Sequence, residues 1–158
     1  MKRKTIHIIV SLFNETITLS LLESCVGTLQ ENGYTNDDIK ITKVPGAFEL
    51  PVIAAKYARK NESSCIICIG AVVRGDTPHF DYICQSVSQS LIDLSVETEK
   101  PIIFGVLTTN TFAQAKERCS STVTRESEQG KKLKNMNKGH EFAMTAINML
   151  ELTNTVDM

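Results

Sequence analysis

Apolar residues along the chain alternate between two kinds of pattern. Three segments are short and mostly apolar: residues 6–12, Cys65-Ile66-Ile67-Cys68-Ile69, and residues 102–107 after Pro101. Each reads as a strand, and the continuous run 65–69, too short to span a bilayer, reads as one buried on both faces. Ile39, Ile41 and Val44 mark a further strand, closed by Pro45-Gly46. Between the strands the apolar positions take helical spacing. From Glu15 the stripe is Ile17, Leu21, Leu22, Cys25, Val26 and Leu29, with Gly33 as a stop. Leu50, Ile53, Ala54, Tyr57 and Ala58 stripe a second helix, where Pro51 is tolerable in the first turn. Phe80, Ile83, Cys84, Val87, Leu91 and Leu94 stripe a third. Thr108-Thr109-Asn110-Thr111 supplies a cap for a fourth, and a fifth covers about residues 139–152 with Phe142, Ala143, Ala146, Ile147 and Leu150 inward. Four strands joined by crossover helices predict an α/β protein with a four-stranded parallel sheet and right-handed connections. Residues 120–136 break the pattern. They are rich in Ser, Thr, Glu, Gln and Lys, and predict a surface loop.

Composition narrows the picture. One domain is the natural reading of 158 residues that are 42% hydrophobic. A formal net charge of −1 gives no electrostatic case for nucleic acid or membrane as a partner. Lys2, Arg3 and Lys4 precede the first apolar segment, but that segment ends at Phe13 without a small-residue cleavage site, so no signal peptide is read. Five cysteines, mostly inside apolar runs, suit reduced thiols in the cytoplasm. Cys65-x-x-Cys68 invites a redox or zinc reading, yet on a strand the two side chains point to opposite faces. His7 and His140 have no acidic or cysteine partner at ligand spacing, so no metal is expected.

Candidate chemistry gathers where the strands end, which is where parallel sheets bind ligands. Phe13 follows the first strand, Ala47-Phe48-Glu49 the second, residues 71–79 the third, and Thr108-Thr109 the fourth. Two aromatics can sandwich a flat heterocycle, although Phe13 and Phe48 read equally well as hydrophobic caps. Glu49 suits hydroxyl or amine groups. Backbone amides with the Thr77 hydroxyl suit an anion, and His79 can move protons or merely begin a helix. Arg118 reads alone as a solvated charge or a dipole partner.

Five blocks then carry a resemblance. Val44-Pro45-Gly46-Ala47-Phe48-Glu49-Leu50-Pro51 resembles the V-P-G-A-F-E-[IL]-P signature of the 6,7-dimethyl-8-ribityllumazine synthase family. Gly75-Asp76-Thr77-Pro78-His79-Phe80-Asp81-Tyr82 resembles its G-[ED]-T-x-H-[FY]-[DE]-Y segment. Pro101-Ile102-Ile103-Phe104-Gly105-Val106-Leu107-Thr108 is similar to P-[VI]-x-F-G-[VIL]-L-T, Gln114-Ala115-x-x-Arg118 to Q-A-x-x-R, and Asn137-Lys138-Gly139-x-Glu141 to N-K-G-x-[ED]. The blocks keep the family order and span nearly the whole chain.

The resemblance implies a single-domain three-layer α/β/α fold over residues 1–158, doubly wound and flavodoxin-like. It implies an enzyme of two small-molecule substrates. It condenses 5-amino-6-(D-ribitylamino)uracil with 3,4-dihydroxy-2-butanone 4-phosphate to the lumazine, phosphate and water, with neither cofactor nor metal. Phe13 would stack on the pyrimidine. Ala47, Phe48 and Glu49 would position it with its ribityl chain, helped by the backbone of Ala71, Val72 and Val73. Asp76 and Thr77 would hold the phosphate, the Asp76 side chain turned away from it. His79 would be the proton donor and acceptor, with Glu141 as its orienting partner. Phe104 and Arg118 would come from a neighbouring identical subunit of a homopentamer, Arg118 offering phosphate its fork and Lys138 adding charge. Two departures stand out. The chain begins a few residues before its first strand, whereas shell-forming members carry a longer N-terminal segment. Between Arg118 and Asn137 it also holds roughly a dozen residues more than the family linker, where loop-length priors expect a handful. That polar insertion should obstruct contacts between pentamers. Two other readings compete with the synthase: a non-catalytic lumazine or flavin binder, and a signalling or scaffold domain of the same doubly wound class. Fold alone does not choose among them, but retention of His79, Thr77 and Arg118 favours the synthase.

Overall fold

The structure, a computed structural model, describes residues 4–120, 125–126, 132–133 and 137–158. Its main elements are β1 (Thr5–Ser11), α1 (Glu15–Glu31), β2 (Ile39–Val44), α2 (Leu50–Ala58), β3 (Ser63–Val73), α3 (His79–Thr98), β4 (Ile102–Thr109), α4 (Phe112–Arg118) and α5 (Lys138–Val156). The four strands form one parallel sheet in the order β2-β1-β3-β4. Parallel pairing demands crossovers, and the helices that make them cover both faces.

Two apolar clusters fill the space between the layers. One joins Ile6, Ile8, Val10, Ile67 and Ile69 to α1 and α5. The other joins Ile9, Ile66 and Cys68 to α2 and α3. The period-two alternation of strand side chains therefore sends Cys65 into the first cluster and Cys68 into the second, and both are fully buried. A shared metal or a disulfide between them is ruled out by that geometry.

The structure extends the predicted strands. β3 does not stop at Ile69 but runs on to Val73, because Gly70, Ala71, Val72 and Val73 pair with Val106, Leu107, Thr108 and Thr109 of an equally extended β4. Thr108 and Thr109 are thus strand rather than cap. Thr111 caps α4, its hydroxyl accepting from the Gln114 N–H while the Gln114 side chain accepts from the Thr111 N–H. Within the predicted surface loop over residues 120–136, Arg125–Glu126 (β5) pairs antiparallel with Lys132–Leu133 (β6). The remainder, apart from Ser120, lies outside the described residues.

Because β1 lies inside the sheet, the chain leaves it toward β2 on one side and later reaches β3 on the other. The carboxyl ends of β1 and β3 thus flank a topological switch point, where loops diverge and leave a crevice.

Candidate active site

The crevice is a cavity of about 630 Å³ lined by the ends of three strands. Phe13 leaves β1 with its ring mostly exposed. The turn beneath it depends on Asn14, whose φ of 61° lies in the left-handed region that Asn tolerates better than most residues. Its side-chain amide donates to the Ala71 carbonyl at 3.0 Å, tying the exit of β1 to β3. After β2, Pro45-Gly46 leads into a 3-10 turn, Ala47–Glu49, which buries Ala47 and leaves the Phe48 ring in the open. A Cβ at Gly46 would stand 3.0 Å from the Glu49 carboxylate, so the glycine leaves room for that group. Ala71, Val72 and Val73 form the wall between, while Gly75, Thr77 and His79 close the far side where α3 begins. The N–H groups in the first turn of a helix have no partner within it. With the Thr77 hydroxyl they offer donors to an anion. Asp76 is exposed and lines no part of the cavity, which keeps its carboxylate clear of such an anion.

The remaining residues singled out in the sequence lie elsewhere. Phe104, Arg118, Lys138 and Glu141 line a second cavity, of about 620 Å³, beside the edge strand β4, and the two cavities share no lining residue. Phe104 is 43% exposed. Arg118 ends α4, and one guanidinium nitrogen is held by the Gln114 carbonyl at 3.0 Å. Lys138 and Glu141 form an ion pair at 2.7 Å on the first turn of α5. Within one chain Glu141 therefore accompanies Lys138 and Arg118 rather than His79. Asn137 anchors this corner. Its amide donates to the Cys119 carbonyl at 2.7 Å and the Ser20 carbonyl at 3.3 Å, and its oxygen accepts from the Gly139 N–H at 2.9 Å.

Among the described residues no three or more His, Cys, Asp or Glu gather at metal-binding distance, and no helix is long and apolar enough to cross a membrane. His7 is bound to Ser63 and His140 to Thr28. The sequence reading missed Asn14 as part of the site. Its signal was an Asn between a strand and a helix, a place that favours a left-handed turn. Tyr82 and Ile83 were also not expected in the lining; both follow His79 on α3.

Fold and crevice together define a doubly wound α/β protein whose strand ends set two exposed aromatic rings, Phe13 and Phe48, beside the start of α3. The 6,7-dimethyl-8-ribityllumazine synthase family model matches residues 3–154. The chain is also 39% identical over 158 residues to a 6,7-dimethyl-8-ribityllumazine synthase from Protochlamydia amoebophila (strain UWE25), covering all of this chain and 85% of that relative. The chain belongs to the 6,7-dimethyl-8-ribityllumazine synthase family. It is an enzyme of riboflavin biosynthesis, a transferase.

Proposed function

We propose that the lumazine is made in a composite site, one half from each of two identical subunits. The observation that carries this reading is the separation of the two cavities. The ring-holding Phe13 and Phe48, with Thr77 and His79, line one, while Phe104, Arg118, Lys138 and Glu141 line the other. A reaction that eliminates phosphate next to a condensing amine needs both sets within a few ångströms. In one chain the two sets line different cavities, and a ring of chains, each presenting its β4 side to the crevice of the next, brings them together at every contact. Such a heterologous contact closes on itself in a homopentamer.

In this site the 5-amino-6-(D-ribitylamino)uracil stacks on Phe13, and its ribityl hydroxyls reach Glu49 and the backbone of residues 47–48. The exposed backbone at the end of β3, Ala71 to Val73, pairs with the polar edge of the ring. The 3,4-dihydroxy-2-butanone 4-phosphate lies with its phosphate on the Thr77 hydroxyl and adjacent N–H groups, and the neighbour's Arg118 completes the cradle with a planar fork suited to phosphate. Lys138 adds charge there. The 5-amino nitrogen attacks the ketone carbon, and loss of water from the adduct gives an imine. Removal of a proton from the adjacent carbon expels inorganic phosphate, and the ribityl nitrogen closes the second ring with loss of another water. His79 gives and takes these protons, and the neighbour's Glu141 orients its ring. General acid–base help of this kind is typically worth about 10²-fold or more.

We place the enzyme in the cytoplasm as one domain over residues 1–158, its five thiols free. The polar, charged insertion at 120–136 opposes a shell of sixty subunits, while assembly as a pentamer or as two pentamers face to face remains open to it. The test is complementation. His79→Ala and Arg118→Ala each lower lumazine formation, read by its absorbance and fluorescence, and mixing the two under subunit exchange restores part of the activity. Absence of rescue despite demonstrated exchange would mean that both residues act within one subunit.

A further inference from the structure

One charged group near the crevice has no part in the chemistry above. Arg74 follows the last residue of β3, lines neither cavity, and engages two other pieces of the chain. Its Nε donates to Asn110 Oδ1 at 3.0 Å. Its two terminal nitrogens reach the two carboxylate oxygens of Asp81, each at 3.2 Å. Its guanidinium carbon lies 4.4 Å from the centroid of the Phe80 ring. The Arg74 N–H also donates to the Thr109 carbonyl at 2.9 Å, fixing its backbone to the end of β4.

One rigid plane therefore joins the end of β3, the first turn of α3 and the link from β4 to α4. The segment it encloses, residues 75–79, carries Thr77 and His79. We propose that Arg74 is a positioning residue that brackets this segment, holding the Thr77 hydroxyl and the His79 ring in register for the phosphate-bearing substrate. The inference rests on the roles given above to Thr77 and His79.

The physical case rests on geometry rather than on the strength of the ion pair. Both partners are substantially exposed, and exposed pairs contribute little stability. A planar fork that is bidentate on one carboxylate, bonded to an amide on its third side and stacked on an aromatic face has one orientation in which all its contacts are made. Lysine keeps the charge but has neither the fork nor the stacking plane. Loss of register of about 1 Å at a reacting group costs up to roughly 10²-fold in rate.

The test is steady-state kinetics with each substrate varied in turn on Arg74→Lys, Arg74→Ala, Asp81→Asn and the Arg74→Ala/Asp81→Asn double variant, alongside Thr77→Ala and His79→Ala. Arg74→Ala is expected to raise KM for the butanone phosphate about tenfold while KM for the pyrimidine changes less than about twofold, a loss within what misplacement produces. Arg74→Lys is expected not to restore it. Asp81→Asn moves KM the same way, and the double variant is no worse than Arg74→Ala because the two residues act as a unit. Rescue by lysine, or an equal rise for both substrates, overturns the bracket. So does a lower KM in Asp81→Asn, which would mean that the freed guanidinium binds phosphate itself. If Thr77→Ala and His79→Ala leave the kinetics untouched, the site reading falls and takes the bracket with it. If they act and the Arg74 and Asp81 variants do not, only the bracket falls. Should Arg74→Ala fail to fold, Arg74→Lys and Asp81→Asn carry the same test.

Discussion

Gly139→Ala sets two effects of opposite sign against each other at one position. Gly139 sits in the first turn of α5 and is buried against α1. In a helix, replacing Gly by Ala is favourable by about 1 kcal/mol, because Gly loses more backbone freedom on folding. The packing opposes this. A Cβ at this position would stand 2.1 Å from the Leu21 carbonyl oxygen and 3.0 Å from the Cys25 nitrogen, both backbone atoms of α1. No rotamer change relieves a backbone contact, so α5 must move away from α1. Overpacking ordinarily costs about 1–3 kcal/mol, and a backbone clash this short belongs at or above the upper end. The displaced turn also carries the Asn137 bonds to Cys119 and Ser20. The net expectation is a loss of about 2–3 kcal/mol, which for a chain of this size lowers Tm by about 4–12 °C. Thermal and urea unfolding of the variant beside the natural protein measure it. Lumazine formation should fall as well, since Lys138 and Glu141 ride on the same turn. A Gly139→Ala protein as stable as the natural one, or more so, would refute the reasoning, because helix propensity would then have outweighed the contact.

Two further outcomes follow from buried titratable groups. Burial, only partly offset by Glu62 and reinforced by Lys60, Lys40 and Lys100, lowers the pKa of His7 below its ordinary 6.5. The unfolded chain therefore takes up a proton first as pH falls, and stability is lost from about pH 6.5 down to the folded pKa. His7→Phe keeps a ring against Tyr57, with which His7 stacks at 4.0 Å, but does not titrate. Its urea midpoint should fall less than that of the natural protein as pH drops below about 6.5, the unfolded value; equal falls would count against the assignment. Burial also pushes the thiols of Cys25 and Cys68 up to about 12 and raises that of Cys65. A thiol reagent near pH 8 should leave these three untouched in the folded protein and label all five after unfolding, thiolate being the reactive form; labelling of Cys68 before unfolding would contradict its burial.

Much of this protein is local and was written in the chain. Strand and helix alternation follows from apolar periodicity, because each element must turn one stripe or face inward whatever its neighbours are. The opposite facing of Cys65 and Cys68 follows from the pleat alone. The motifs that carry Phe48, Glu49, Thr77, His79 and Arg118 were legible in the chain, and it was their resemblance to a family, not their pattern alone, that grouped them with Phe13 as one candidate site. Tertiary structure decided what depends on partners distant in the chain. β3 continues to Val73 only because β4 pairs with it that far. Asn14 matters because its amide meets Ala71, which no local pattern encodes. Gly139 is required because another helix's backbone comes within reach of it. Arg74 became meaningful once Phe80, Asp81 and Asn110 converged on it. The sharpest case is the division of the motif residues between two cavities. Motif spacing records which residue types stand together in the chain but not which surface of the fold each one reaches, since that is set by strand order and helix packing.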